Sequence, residues 1–141
     1  MAGYLLDANV LIALAWSEHS AHERARRWFS HHSRQGWATC PMTQAALVRV
    51  LSNPAFSPRA LTLTDALQVL GRNVELPGHE FWADSIDLRQ ALGRMAVPLR
   101  GHQQITDAYL IALAIHNRGK LATLDRGMAQ LAPAGAVEVI G

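Results

Sequence analysis

Residues 4–15 read YLLDANVLIALA, from Tyr4 to Ala15, and the change of pattern inside this stretch decides the fold. Tyr4, Leu5 and Leu6 form an unbroken apolar run too short for a helix, as expected of a strand buried on both faces. Val10, Leu11, Leu14 and Ala15 then recur at helical spacing. The break between the two patterns falls on Asp7. The same order returns near the other end of the chain, where Lys120 to Leu124 reads as a strand, ends in Asp125, and gives way to a short helix around Met128 to Leu131. In open parallel sheets ligands bind in the crevice beyond the carboxyl ends of the strands, so acids at two strand exits point to chemistry rather than to solvation. A third acid, Asp107, opens DAYLIALAIH, residues 107–116, the most apolar helical stretch of the chain. A carboxylate entering so apolar a segment needs a partner or a metal, because an unpaired buried charge is costly.

Outward from these three points the pattern alternates. Ser20 to Arg34 predicts a helix with Ala21, Ala25, Trp28 and Phe29 inward and Arg24, Arg27, His31 and Arg34 on the opposite face. Trp37 to Cys40 reads as a strand, and Pro41, Met42 and Thr43 lead into a helix carrying Ala46, Leu47, Val50 and Leu51. Thr64 to Arg72 predicts a helix that exits at Gly71 and Asn73, and His79 to Trp82 an edge strand. Asp84 or Ser85 is the expected N-cap of a helix running to about Met95. Gly101 to Thr106 is a connection, Gly119 closes the apolar helix, and Ala136 to Ile140 is the last strand. Strands separated by helical stretches imply an α/β fold: a single domain over residues 1–141, three layers α/β/α with a central parallel sheet.

The chain has 141 residues, 50% of them hydrophobic, enough for one continuous core. Basic residues number 13 against 11 acidic, and setting aside the three strand-exit and helix-entry acids leaves 13 against 8. The remaining surface therefore suits a polyanionic partner. Lys120 is the only lysine, and the planar guanidinium of the arginines favours bidentate phosphate contact. Cys40 is the only cysteine, which excludes an intrachain disulfide and a thiolate metal cage and points to a reducing, cytoplasmic compartment. The apolar start lacks a basic leader and is interrupted by Asp7 and Asn9, which argues against a signal peptide or a membrane span.

Three carboxylates converging on one crevice repel one another, and a hard divalent cation held by oxygen ligands, Mg²⁺ or Mn²⁺, relieves that repulsion. Such an ion lowers the pKa of water and neutralises a phosphoryl oxygen, the requirements of phosphodiester hydrolysis. The segments LLDANVLIAL from Leu5, ITDAYLIALA from Ile105 and LATLDRG from Leu121, with CPMTQAALVRVLSNP from Cys40, resemble the motifs of PIN-domain ribonucleases, most closely those of VapC-type toxins. The resemblance runs over nearly the whole chain and is specific as a set. It implies a metal-dependent endoribonuclease in which Asp7, Asp107 and Asp125 hold one or two metal ions with Asn9 and Thr123 as hydrogen-bonding neighbours. It also implies an RNA substrate, a cognate VapB-like antitoxin and a homodimer. The chain departs from the family pattern in the second motif, where relatives usually carry a glutamate and Thr43, Gln44, Ala45 and Ala46 stand instead. Gln44 is a neutral near-isostere of Glu that presents a carbonyl oxygen but no charge.

Other residues admit two readings. His102, just before Asp107, is a candidate phosphate contact or general acid, against a solvated loop histidine. Arg49 is a candidate for phosphate binding or for pairing with a carboxylate. Asp84 is weighed as a site acid against its role as an N-cap. The alternatives to a toxin are a PIN nuclease of RNA processing and a PIN-fold RNA-binding module weakened in catalysis. A haloacid-dehalogenase-like phosphatase needs a second aspartate two residues after the first, where this chain has Asn9.

Overall fold

The structure is a computed structural model that describes residues 3–141. Its described residues form five strands, β1 (Tyr4–Leu6), β2 (Trp37–Thr39), β3 (His79–Phe81), β4 (Lys120–Thr123) and β5 (Val137–Val139), all parallel and in the order β3-β2-β1-β4-β5. Seven α-helices accompany them: α1 (Ala8–Ala15), α2 (His22–His32), α3 (Pro41–Leu51), α4 (Leu63–Val74), α5 (Leu88–Leu92), α6 (Ile105–His116) and α7 (Met128–Leu131).

The side chains of β1 alternate between two cores. Tyr4 and Leu6 pack with Val10, Leu11, Trp28 and Leu47 of α1, α2 and α3, whereas Leu5 packs with Ile111 and Leu113 of α6 and with Met128 of α7. In β4, Leu121 belongs to the second core and Ala122 to the first. The period-2 alternation of a strand thus serves two apolar layers at once, which makes the domain α/β/α. Seven successive residues of α6, Ala108 to Ala114, are buried, so this helix is apolar all round because it is covered all round.

The topology positions the acids. From β1 the chain moves to β2 and β3 on one side of the sheet and then returns to β4 and β5 on the other, so a switch point lies beyond the ends of β1 and β4. The helix after β1 packs on one face and the helix after β4 on the other, which opens a crevice between them. Because α6 must carry the chain back to the start of β4, its first turn lies at the carboxyl edge of the sheet, and Asp107 is in that turn.

Several boundaries differ from the sequence reading. The cap of α5 is Asp87, whose side chain accepts from the Gln90 N–H at 2.9 Å, and the helix ends at Leu92. Asp84 instead accepts from the Tyr109 hydroxyl at 3.2 Å. Helix α4 runs through Gly71 to Val74, the roughly 1 kcal/mol cost of a helical glycine being outweighed by packing against α3. At the end of α6 the left-handed residue is Arg118, φ 62°, and not Gly119. Gly119 is needed for a different reason: a Cβ there would lie 2.4 Å from the Gly3 carbonyl oxygen and 2.9 Å from the Trp82 ring. Among the described residues no helix is long and apolar enough to cross a membrane.

Candidate active site

Asp7 leaves β1 and caps α1. One carboxylate oxygen accepts from the Ala8 N–H at 2.7 Å and the other from the Thr123 hydroxyl at 2.7 Å. The residue is only 8% exposed. Burial raises its pKa, the Thr123 and Ala8 hydrogen bonds pull it part of the way back, and the charge of Asp125 raises it further.

Thr123, the last residue of β4, is fully buried and connects the site. Its hydroxyl oxygen accepts from Asn9 Nδ2 at 3.2 Å and from the Asp125 N–H at 3.1 Å while its proton goes to Asp7. Asn9 completes the bridge between α1 and the β4 exit by accepting from the Leu124 N–H at 3.2 Å. Asp125 is exposed and accepts from the Gly127 N–H at 2.8 Å. A Cβ on Gly127 would lie 3.2 Å from that same carboxylate oxygen, so glycine permits the close turn.

Asp107 is half-buried and its pKa is pushed up to about 6, first by burial and then by the charges of Asp7 and Asp125. No hydrogen bond offsets these effects. Asp125 acts on Asp7, and both act on Asp107, so the three acids share one electrostatic neighbourhood. None takes part in the ion pairs among the described residues, which join Arg26 to Glu23, Arg59 to Glu18 and His32 to Glu138. Three hard oxygen donors whose charge no protein cation offsets fit a hard divalent ion in donor chemistry. Among the described residues no trio of His, Cys, Asp or Glu closes on one point, so the carboxylates are gathered but not preformed as a cage.

The other candidates are distributed around this centre. Thr43 is buried and forms a capping box with Cys40, accepting from its N–H at 3.0 Å. Gln44, half-buried, donates from Nε2 to Thr39 Oγ1 at 2.9 Å, and Thr39 also bonds His79 Nε2 at 2.7 Å. Burial lowers the pKa of His79. Arg49 is exposed on α3 and faces an apolar groove with Leu63 and Leu67 of α4. His102 is exposed in a single 3₁₀ turn, His102–Gln104, and lines a hollow with Arg100 and Gln103.

Beside Asp107 and Asp125 lies a cavity of about 350 Å³ that is also lined by Arg100, Gln103, Gln104 and Gln130. Sequence reasoning missed these residues. They belong to no chemical motif, and the only local signal is the adjacent pair Gln103 and Gln104 ahead of the apolar helix.

The PIN domain family model matches residues 4–133, and the chain belongs to that family. Within it the chain is similar to ribonuclease VapC39 of Mycobacterium tuberculosis, with 42% identity over 136 residues covering 96% of this chain and 98% of the relative. Its fold is similar to that of VapBC2 from Rickettsia felis, solved bound to a DNA fragment from its promoter, with a TM-score of 0.69, 98% coverage of both chains and 12% identity. It is also similar to that of Mycobacterium tuberculosis VapC20, a sarcin-ricin loop cleaving toxin, with a TM-score of 0.68, coverage of 98% and 99%, and 17% identity. At these identities the two structures speak to the fold.

Proposed function

We infer that this chain is an endoribonuclease, the toxin of a toxin–antitoxin pair, and that it hydrolyses RNA phosphodiesters with Mg²⁺ or Mn²⁺ held by Asp7, Asp107 and Asp125. The observation that carries this reading is the uncompensated triad at the switch point: two of its acids have raised pKa values, each partly through the charge of a neighbour. Membership of the PIN family and the similarity to VapC ribonucleases support it. A bound divalent cation supplies charge neutralisation at the scissile phosphate and lowers the pKa of water. The chain's own contribution is orientation. Thr123 fixes the angle of Asp7, Asn9 ties α1 to the β4 exit, and the Gly127 N–H holds Asp125. The adjoining cavity gives the RNA a place to lie against the acids.

The partner we assign is a VapB-like antitoxin, supported by the likeness to a VapBC complex, with the toxin acting as a homodimer in the cytoplasm. Co-purification with a small protein encoded beside it, inactive until the partner is stripped, tests the pairing; light scattering tests the dimer.

The activity itself is tested on purified protein and a mixed RNA substrate. EDTA should stop cleavage, and Mg²⁺ or Mn²⁺ should restore it. Asp7→Asn, which removes one charge at nearly constant volume, should lower kcat/KM by at least about a hundredfold while the protein still folds, as circular dichroism would show. Cleavage that persists in EDTA, or an Asp7→Asn protein of full activity, would refute the metal site.

A further inference from the structure

We propose that the cavity beside the acids is a base-reading subsite, and that Gln104 selects a nucleotide carrying a keto oxygen, guanosine or uridine, next to the cleaved bond. The inference rests on the ribonuclease reading and adds the chemistry of the substrate. The cavity, about 350 Å³, lies at the lower end of the range for small-ligand pockets, roughly 300–1,000 Å³, which suits one nucleotide rather than a duplex. Asp107 and Asp125 form its reactive wall. Val97 and Pro98 give it an exposed apolar side against which a flat base can lie, and the buried Met128 and Leu131 supply the rest of its apolar lining.

Within the polar lining, Gln104 and Arg100 are the groups placed to donate. Gln104 Oε1 accepts from the backbone N–H of Arg100 at 2.6 Å. Since an N–H only donates, the bonded atom of Gln104 must be its carbonyl oxygen, and the end left for a ligand is the amide nitrogen. Arg100 offers a guanidinium that enters none of the ion pairs among the described residues, and guanidinium has no acceptor. The Gln104 amide, held as a donor, favours O6 of guanine or O4 of uracil over the amino groups that adenine and cytosine carry at the same positions. A phosphate-binding role alone would not require Gln104 to be oriented, because charge is read from any direction and an amide only along its N–H bonds.

The substitution Gln104→Glu separates these roles. Glutamate keeps an oxygen for the Arg100 N–H and replaces the free donor end by an acceptor. Four oligoribonucleotides that differ only in the base 5′ of the cleaved bond, and four that differ only 3′ of it, are cleaved by the wild type and by the variant. At one of the two positions the wild type should prefer G or U over A or C by about tenfold in kcat/KM, the scale of one well-placed hydrogen bond and its mismatch. The variant should erase or invert that ratio even if its added charge slows every substrate. If Gln104→Glu does not fold, Gln104→Met supplies the reading, with the ratio expected to fall to near unity. Cleavage with the same base ratios in wild type and variant would overturn this inference alone. A wild type that cleaves none of the eight would defeat the ribonuclease reading together with it.

Discussion

Two threonines close the strands on either side of β1, and they serve opposite purposes. Thr123 ends β4, Thr39 ends β2, and both are fully buried at the same edge of the sheet. Thr123 donates its proton to the carboxylate of Asp7 and accepts from Asn9 and the Asp125 backbone, so its hydroxyl organises negative charge. Thr39 lies between the amide of Gln44 and the imidazole of His79, and its hydroxyl organises neutral groups. The residue type is the same; the neighbours decide what it does. The charged corner is the one suited to a cation, whereas the neutral corner fixes packing and the direction of an amide.

Removing each hydroxyl is the sharpest way to break this comparison. Thr123→Val should cost about 10–100-fold in RNA cleavage or metal affinity, because the partner that orients Asp7, the proposed ligand, is lost. Thr39→Val should leave cleavage near the wild-type rate and lower stability by about 1–2 kcal/mol, the cost of polar groups left without a partner. Parallel cleavage assays and urea titrations decide the matter; equal loss of activity in both variants would mean that the β2 corner belongs to the reactive centre.

The second change gives the neutral corner a charge. If Gln44 fills the place of the glutamate that the family resemblance puts within residues 43–46, Gln44→Glu adds an anionic oxygen ligand and should tighten Mn²⁺ binding by about tenfold in calorimetry. Unchanged or weaker affinity would show that this side chain faces away from the ion.

The smallest expected effect concerns Asp107 in the metal-free protein. Its carboxyl is pushed up to about 6 in the folded state, against about 3.9 in an unfolded chain. Between these values the folded protein keeps a proton that the unfolded chain has lost. Stability therefore falls as pH rises through the window and stays lower above it. Asp107→Asn should be more stable than the wild type at neutral pH by on the order of 1 kcal/mol, after allowance for solvent screening. The gain should vanish below about pH 4. Thermal melts in EDTA across this range provide the measurement, and a gain independent of pH would assign it to packing rather than to repulsion.

Much of this was legible in the residues. Leu5 and Leu6 ahead of Asp7, and Leu121 and Ala122 ahead of Asp125, announce strands by unbroken apolarity, because a strand covered on both faces has no polar side to show. The family motifs marked the three acids. The cap expected at Asp84 or Ser85 lies at Asp87 instead, since any of these residues can cap a helix and only the Tyr109 hydroxyl, brought across from α6, commits Asp84 elsewhere. Thr43 and Gln44 are adjacent, and the turn of α3 sends one into the core and the other toward Thr39. Arg100, Gln104 and Gln130 carry no periodic signal, because they are exposed or half-buried residues on segments that meet only after folding.

The sequence by itself determined the alternation of strand and helix, the acid at each of two strand exits, and the entry of Asp107 into a covered helix. These are local facts, set by apolar runs, helical spacing and capping. The tertiary structure alone decided that β4 lies beside β1 rather than beside β3, and this brings Thr123 to Asp7 across 116 residues of chain. Strand pairing is a long-range choice made by whole faces packing together, so no short window of residues encodes it.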